Sequence, residues 1–278
     1  MLWQTTRFQI DLTKPRVMGI VNATPDSFSD GGVYFSSAEP RRAMAHCERL
    51  IDEGADLLDI GAESTRPGAA ALPLEEELAR LLPVLRHALT LGVPVSVDTY
   101  KPEVMQAALD LGADIINDIW ALRQPGAAEV VAAHASCGVC LMHMHREPQT
   151  MQVEPMHGDV LPQVRDFLAV RVAELATRGV DSARIMLDPG IGFGKTVAQN
   201  FELLSRQREL LDLGFGLLAG WSRKSSLGAV CDPAGLAASR LLPSVAAALL
   251  AVERGARVVR VHDVDETVTA LKVWLAAL

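Results

Sequence analysis

The sequence has few cysteines, no excess of basic charge and no long apolar run, and each shortage excludes a class of protein. Four cysteines in 278 residues are too few for a disulfide framework, and the lone CxxC of Cys137 and Cys140 predicts buried thiols rather than a redox or zinc site. The net charge of −8 argues against a general nucleic-acid binder. No apolar stretch could cross a bilayer and the N-terminal segment does not resemble a signal peptide, so we expect a cytoplasmic protein with no membrane partner.

What the sequence does contain is a repeat of short apolar runs separated by amphipathic segments, which is typical of successive βα units. The predicted strands are 17–21, 56–61, 94–98, 114–118, 139–143, 184–188, 216–220 and 257–261. The predicted helices include 38–53, 74–91, 160–178 and 244–254, with C-cap glycines at 54, 92, 112, 179 and 255. Eight such units predict an α/β protein with a (β/α)8 (TIM) barrel, a single domain over residues 1–278. An open doubly wound sheet is the main alternative.

Nearly every predicted strand ends in polar residues, and in such a barrel the carboxyl ends of the strands share one mouth where the chemistry takes place. From the first strand to the eighth, these residues are Asn22, 63–66, Asp98, Asn117 with Asp118, His143 with His145, Asp188, 222–224, and Arg260 with His262. A single polar strand end is commonly structural, and Asp118 is the member best explained in that way. The set as a whole predicts a functional site.

The cations of this set come from the last two strands, where barrels frequently bind phosphate. Lys224, Arg260 and His262 suit such a site, because Arg offers a planar fork of donors and Lys a mobile point charge. Alternatively, Lys224 and Arg260 only neutralise carboxylates at neighbouring strand ends. The amide oxygen of Asn22 would lie nearby and suits Mg²⁺, which prefers oxygen ligands together with substrate phosphates.

The hydrogen-bond acceptors of the set come from the third, fourth and sixth strands, as Asp98, Asn117 and Asp188. Buried carboxylates are costly unless donors meet them, so either Lys and Arg neutralise them or a ligand with several N–H groups does. The edge of a guanidine-like heterocycle would satisfy them. Asp98 and Asp188 could alternatively be the two carboxylates of a glycosidase.

Two short motifs near the mouth resemble other kinds of site. Residues 188–196 differ from a phosphate-binding P-loop because Pro189 stands where glycine is required. The glycines of this segment more simply allow the backbone to approach a flat ligand against Phe193. His143 and His145 form an HxH pair of the kind that binds metal in some barrel hydrolases, but with no evident further ligand we favour a structural or hydrogen-bonding role.

Two polar loops, 22–32 and 63–68, are longer than most βα turns, and such loops often act as lids. Thr65 and Arg66 would give a lid hydrogen-bonding groups, while Phe28 and Pro67 would give it a face for an aromatic substrate. The alternative is that both are simple solvated loops.

Taken together, these segments resemble the dihydropteroate synthase family. The matching motifs are NATPDSFSDGG at 22–32, ESTRPG at 63–68, SVDT at 96–99, IINDI at 115–119, LDPGIGFGKT at 187–196, GWSRKSSLG at 220–228 and VRVHDV at 259–264. The likeness spans about 17–274. It implies a (β/α)8 fold, Mg²⁺, a homodimer, and condensation of 6-hydroxymethyl-7,8-dihydropterin pyrophosphate with p-aminobenzoate to 7,8-dihydropteroate and pyrophosphate.

The resemblance also implies roles for individual residues. The pterin would be held by Asp98, Asn117, Asp188, Phe193 and Lys224. The pyrophosphate would be held by Asn22, Arg260 and His262, with Asn22 also a ligand of Mg²⁺. The p-aminobenzoate side would be bordered by Phe28, Thr65, Arg66, Pro67 and Ser225. The residues implied to be catalytic are Asp98, Lys224, Arg260 and His262. Pyrophosphate would leave first, and the aniline nitrogen would then attack a ring-stabilised pterin cation; sulfonamides, which mimic p-aminobenzoate, should compete.

The chain departs from the family pattern at two places. His145 and Arg146 replace a common Gln-Gly, which could alter the loop after the fifth strand, and Pro243 replaces a Gly, which could reshape the last long helix and the dimer surface. Three other functions remain open. They are a barrel that handles methyl-tetrahydrofolate for a corrinoid partner, a pterin-binding protein without synthase activity, and a metal-dependent hydrolase built on His143 and His145.

Overall fold

A computed structural model of the chain describes residues 1–24, 39–64, 71–148, 150–151, 153–232, 234 and 239–278. Its ten strands are β1 (Leu2–Gln4), β2 (Gln9–Asp11), β3 (Arg16–Asn22), β4 (Leu57–Gly61), β5 (Val95–Asp98), β6 (Ile115–Asp118), β7 (Gly138–Met142), β8 (Ile185–Asp188), β9 (Gly216–Ala219) and β10 (Ala256–Val261). Strands β3 to β10 form a closed, entirely parallel barrel in which β10 pairs with β3. The described part of the chain is therefore a (β/α)8 barrel, and the open-sheet alternative is wrong.

Helices connect the strands of the barrel on its outer side. They are α1 (Glu39–Asp52), α2 (Leu74–Ala88), α3 (Pro102–Asp110), α4 (Ala127–Ala133), α5 (Val160–Thr177), α6 (Val197–Ser205), α7 (Ser225–Cys231), α8 (Leu241–Glu253) and α9 (Val264–Ala276). Two 3-10 segments, Ser182–Arg184 and Gln207–Leu213, precede β8 and β9. The layer between helices and strands forms the larger apolar core. Among the described helices, none combines the length and the hydrophobicity that a membrane span requires.

The eight predicted barrel strands are confirmed, each within a residue at either end, and four predicted helices correspond to α1, α2, α5 and α8. The predicted C-cap glycines adopt left-handed backbone, for example Gly54 at φ 99° and Gly255 at φ 96°, which glycine adopts without steric cost. Pro243 is the third residue of α8, where a backbone N–H has no partner within the helix. The helix therefore continues unbroken to Glu253.

The hairpin formed by β1 and β2 was not predicted, and it closes the amino end of the barrel. Trp3, Ile10 and Leu12 pack on inward-facing residues of the barrel strands, in a cluster that also contains Met18 and Cys140. The indole Nε1 of Trp3 donates to the carbonyl of Arg184 at 2.9 Å. The polar strand ends lie at the opposite end of the barrel.

The predicted buried thiols are confirmed for both residues of the CxxC pair. Cys137 and Cys140 are fully buried and unbridged. Burial raises the pKa of Cys140 well above its ordinary value, and Asp188 and Asp59 raise it further, so the thiol stays protonated. Cys137 instead lies beside Arg184, whose Nη2 is 3.1 Å from its Sγ.

Candidate active site

The strand register brings the predicted residues of three strands into one row. Asn22 of β3 is opposite Gly61 of β4, Gly61 is opposite Asp98 of β5, and Asp98 is opposite Asn117 of β6. A side chain at Gly61 would crowd this row, because a Cβ there would lie 3.4 Å from the Cβ of Asp98. Glycine at this position therefore leaves room for the Asp98 carboxylate.

A buried carboxylate that the sequence reasoning missed is central to this end of the barrel. Asp59, in the middle of β4, is fully buried and accepts from Arg260 Nε at 2.5 Å and from Asn117 Nδ2 at 3.2 Å. Arg260 Nη2 also donates to Asp98 Oδ2 at 2.7 Å. One guanidinium thus joins two carboxylates, as in the alternative in which Arg260 neutralises strand-end acids. In the sequence, Asp59 was visible only as the one acidic residue in the interior of an apolar strand.

This arrangement shifts the pKa values of Asp98 and Arg260. Burial raises the pKa of Asp98 to about 7, with the negative charge of Asp59 adding to the rise and Arg260 opposing it. Burial alone would lower the pKa of Arg260, but Asp59 and Asp98 outweigh it and hold that pKa above its usual range. Asp59 Oδ1 is buried without a hydrogen-bond partner among the described residues. The cluster therefore has more acceptor atoms than donors, with one permanent positive charge at its centre.

Asp188 and Lys224 form a second charged group beside a ring. Asp188 is buried at the end of β8, and its Oδ1 accepts from the backbone N–H of Gly190 at 2.7 Å. Lys224 Nζ lies 4.3 Å from the ring centroid of Phe193, within the range of a cation–π contact. Burial lowers the pKa of Lys224 to about 8, against the opposite effect of Asp188. A Cβ at Gly192 would lie 3.2 Å from Lys224 Cδ, so glycine there admits the lysine stem.

His262 follows β10 and forms a close pair with Ser222, which follows β9. Ser222 Oγ lies 2.9 Å from His262 Nδ1 and accepts from the backbone N–H of His262 at 3.1 Å. Burial lowers the pKa of His262 to about 3, and Arg223 and Arg260 lower it further. The imidazole is therefore neutral near pH 7, with one nitrogen held by the serine.

Apolar side chains at the ends of β6, β7 and β8 form a cluster near the charged groups. The cluster contains Ile119, Met142, Met144, Met151 and Phe193, against which Tyr100 and Trp120 pack. Of these, only Phe193 was a sequence-based candidate. The others follow or end apolar strands, and a sequence does not distinguish such residues from ordinary core.

Asp118 has the structural role that its position suggested. Its carboxylate accepts from the backbone N–H groups of Trp120 at 2.8 Å and Leu122 at 2.7 Å. Ala121 and Leu122 are left-handed, with φ of 52° and 58°. Arg171 of α5 donates to both of their carbonyls, at 2.7 and 3.1 Å. Asp118 thus fixes a strained turn at the mouth, of the kind that persists only where surrounding groups hold it.

The remaining candidates divide between described and undescribed residues. Asn22 ends β3 and Ser225 begins α7. Phe28, Thr65, Arg66 and Pro67 lie outside the described residues. His143 is buried and its Nδ1 is 2.9 Å from Lys195 Nζ, which gives it the favoured hydrogen-bonding role. Within the described ranges, no group of three or more His, Cys, Asp or Glu side chains is arranged to hold a metal.

The mouth of this (β/α)8 barrel thus combines a carboxylate cluster, a basic set and an apolar wall. The family model of pterin binding enzymes matches residues 18–262. The chain belongs to that family.

Individual relatives are similar over nearly their whole length. The dihydropteroate synthase of Neisseria meningitidis serogroup B is 52% identical over 279 aligned residues, covering 99% of this chain and 97% of that protein. The crystal structure of Burkholderia cenocepacia dihydropteroate synthase with 7,8-dihydropteroate is 52% identical, has a TM-score of 0.88, and covers 99% of this chain and 96% of its own. Xanthomonas albilineans dihydropteroate synthase with 4-aminobenzoic acid is 48% identical, with a TM-score of 0.89 and coverage of 100% and 98%.

Proposed function

We propose that this chain is a dihydropteroate synthase, which condenses 6-hydroxymethyl-7,8-dihydropterin pyrophosphate with p-aminobenzoate to give 7,8-dihydropteroate and pyrophosphate. The observation that carries the proposal is that one barrel mouth combines buried acceptors in excess with the cations of Arg260 and Lys224. The first suits the N–H-rich edge of a pterin, and the second suits a pyrophosphate. Full-length similarity to synthases supports the same reaction.

The pterin site consists of Asp98, Asn117, Asp188 and Lys224, with Phe193 beside them. The amino-pyrimidine edge of a pterin presents several N–H groups, and these satisfy buried carboxylate oxygens that otherwise have too few donors. The ring of Phe193 and the neighbouring methionines offer apolar surface to the faces of a flat heterocycle. An ionised Asp98 is the better acceptor, so we expect pterin binding to weaken as the pH falls below the pKa of about 7.

The pyrophosphate site consists of Asn22, Arg260 and His262. Arg260 keeps its charge at every working pH, and His262 is neutral. Ser222 accepts from the backbone of His262 and can donate its hydroxyl hydrogen to Nδ1, which leaves the imidazole hydrogen on Nε2 to meet an anion.

Mg²⁺ is the metal we propose for this site, and the donor set fits it. Mg²⁺ is commonly bound by few protein oxygens together with water and substrate phosphates. The partly exposed amide of Asn22 at the end of β3 provides one such oxygen, whereas the described residues provide no cage of His or Cys that would favour zinc. When bound, Mg²⁺ would add positive charge where the pyrophosphate departs.

In the reaction, the bond between the pterin methylene carbon and the pyrophosphate oxygen breaks, and its electrons leave with pyrophosphate. Arg260, Lys224 and His262 meet the charge that develops on the leaving group. The aniline nitrogen then attacks the ring-stabilised pterin cation and loses a proton to water. Because an aromatic amine is already a neutral nucleophile, the chain needs no strong base. In this proposal p-aminobenzoate is bordered by Phe28, Thr65, Arg66, Pro67 and Ser225.

We also propose that the enzyme is a cytoplasmic homodimer.

The test is pyrophosphate release by the purified protein given the dihydropterin pyrophosphate, with and without p-aminobenzoate and with and without Mg²⁺. We expect Mg²⁺-dependent release together with dihydropteroate, and competition by a sulfonamide. Tight pterin binding without product would favour the binding-protein alternative and give weight to His145 and Pro243. Methyl transfer from methyl-tetrahydrofolate to a corrinoid protein would favour the methyltransferase alternative.

A further inference from the structure

Lys195, which follows β8, is a buried lysine without a carboxylate partner among the described residues. Its side chain is 2% exposed. Its Nζ donates to the carbonyls of Gly190 at 2.8 Å and Phe193 at 3.2 Å, and lies 2.9 Å from His143 Nδ1. A buried ammonium that is met only by neutral acceptors is costly to the fold. Its retention in this place calls for a role that an apolar residue could not fill.

The ammonium joins two segments that lie directly on each other. A Cβ at Gly190 would be 1.8 Å from the carbonyl oxygen of His143, and one at Gly194 would be 2.5 Å from the Cβ of His145. At Gly190 and Gly194, the backbone of the loop 190–194 therefore lies directly against the residues that follow β7. Lys195 forms hydrogen bonds to both segments. It contacts His143 on one side and donates to the carbonyls of Gly190 and Phe193 on the other.

The same loop supports the candidate pterin site. The N–H of Gly190 holds Asp188 Oδ1 at 2.7 Å, and the ring of Phe193 lies against Lys224 Nζ at 4.3 Å. A shift of this loop would move one acceptor, one ring and one cation together. No other described side chain donates to the carbonyls of both Gly190 and Phe193.

We propose that Lys195 is a positioning residue, which braces the loop 190–194 against His143 and so sets the geometry of Asp188, Phe193 and Lys224 for the pterin substrate. The inference rests on the proposed synthase function. It also accounts for two motifs that the reaction does not otherwise use, the GK pair at 194–195 and the first histidine of the HxH pair.

The charges around the pair are consistent with this brace. Burial lowers the pKa of His143 to about 2, and Lys195 lowers it further, so the imidazole is a neutral acceptor. Burial lowers the pKa of Lys195 to about 7, with Asp188 of β8 opposing that change and Lys224 adding to it. The ammonium is the form that donates to all its partners, so rising pH weakens the brace.

The first test replaces the ammonium by a side chain of similar length, Lys195→Met. We expect kcat/KM for the dihydropterin pyrophosphate to fall at least tenfold, mainly through KM, and the rise of that KM above pH 7 to become flatter than in the wild type. Leu85→Ala, in the outer core on α2, is the control for lost stability. Lys272→Met, on an exposed position of α9, is the control for lost charge. Both controls should keep kcat/KM within twofold.

The second test acts on the other side of the brace and does not depend on removing a buried charge. In His143→Asn the amide oxygen can occupy the position of Nδ1, whereas His143→Leu offers no acceptor. We expect KM for the pterin substrate to stay within about threefold of wild type in the first and to rise tenfold or more in the second.

The outcomes separate this inference from the function on which it rests. Wild-type kcat/KM in both Lys195→Met and His143→Leu would overturn the role of Lys195 and leave the synthase standing. A fall that Leu85→Ala reproduces at equal loss of thermal stability would also overturn it. Absence of dihydropteroate formation by the wild-type enzyme would overturn the proposed function and the inference together.

Discussion

The two ends of the barrel are built from the same strands but differ completely in chemistry. β3 has Met18 near its amino end and Asn22 at its carboxyl end, and β10 has Val258 followed by Arg260. In a strand, residues i and i+2 face the same side, so a step of two residues along the inner face changes the environment. One closed sheet thus holds a dry core at one end and a charged site at the other.

The difference lies in how each end satisfies its side chains. The amino end is sealed by the β1–β2 hairpin, whose apolar side chains fill the inside of the barrel while the Trp3 indole donates to a backbone carbonyl. At the mouth, Asp59, Asp98 and Arg260 depend on one another, and each lost partner leaves a buried charge. We therefore expect changes at the amino end to affect stability alone, and changes at the mouth to affect activity and its pH dependence as well as stability.

The largest expected effect follows removal of the shared guanidinium by Arg260→Ala. We expect turnover to fall about 10²- to 10³-fold, since the charge that meets the leaving group is lost. Stability should fall by about 3–5 kcal/mol, because two buried carboxylates lose their partner. Without Arg260 the Asp98 carboxyl holds its proton more tightly, so the loss of stability grows as pH rises from 6 to 8. Steady-state kinetics and urea unfolding at both pH values measure the two effects.

Arg257→Ala is the matched control on the same strand. Arg257 lies near the amino end of β10, beside the register shift between Ala256 and Val258, and its Nη1 donates to the carbonyl of Thr13 at 3.5 Å. We expect near wild-type turnover in this variant. Equal loss of activity in both variants would contradict the assignment of Arg260 to the site.

The next effect concerns the amino end, in Trp3→Ala. Trp3 is 1% exposed, and deletion of a buried indole leaves a cavity that typically costs about 3–5 kcal/mol. We expect that loss in urea unfolding, together with kcat within twofold of wild type at temperatures where the variant is folded. Trp274→Ala, on α9 with its indole bonded to Glu253, should cost less. A large fall in kcat of folded Trp3→Ala would show that the two ends are coupled.

The smallest of the three effects is expected for Asp59→Asn, which keeps shape and removes charge. A neutral oxygen still accepts from Arg260, so we expect kcat/KM at pH 8 to fall about tenfold, as for a weakened hydrogen bond to a charged group. The carboxylate of Asp59 is one cause of the raised pKa of Asp98, so that pKa falls in the variant. The acid limb of kcat/KM, which reports ionisation of Asp98, should therefore move to lower pH.

The stability change in Asp59→Asn has a defined sign. In the wild type, the raised pKa of Asp98 means that its protonated form contributes to the free energy of unfolding at low pH. This contribution is lost as pH rises through about 7. This loss should be smaller in the variant. Asp56→Asn, three residues earlier and paired with Arg16, is the control and should leave the acid limb in place. An unchanged limb in Asp59→Asn would mean that another group sets it.

Much of this architecture could be predicted because it depends on local patterns. Apolar runs of strand length and glycines at the ends of helices are read within a few residues, and they predicted all eight barrel strands. The polar strand ends followed from the rule that parallel strands present their carboxyl ends together. The β1–β2 hairpin could not be predicted, since its strands have three residues each and gain their stability by packing on the barrel.

The sequence by itself determined the order of strands and helices, the type of residue at each strand end, and the family. Only the tertiary structure decided which of those residues are partners. Asp59 looked like one polar residue in an apolar strand, and closure of the barrel brings it to Arg260, 201 positions later. Lys195 and His143, 52 positions apart, meet only because the loop after β8 packs on the end of β7. Periodicity and turn chemistry act between neighbours in the chain, whereas the pairing of buried charges depends on distances that exist only in the closed barrel.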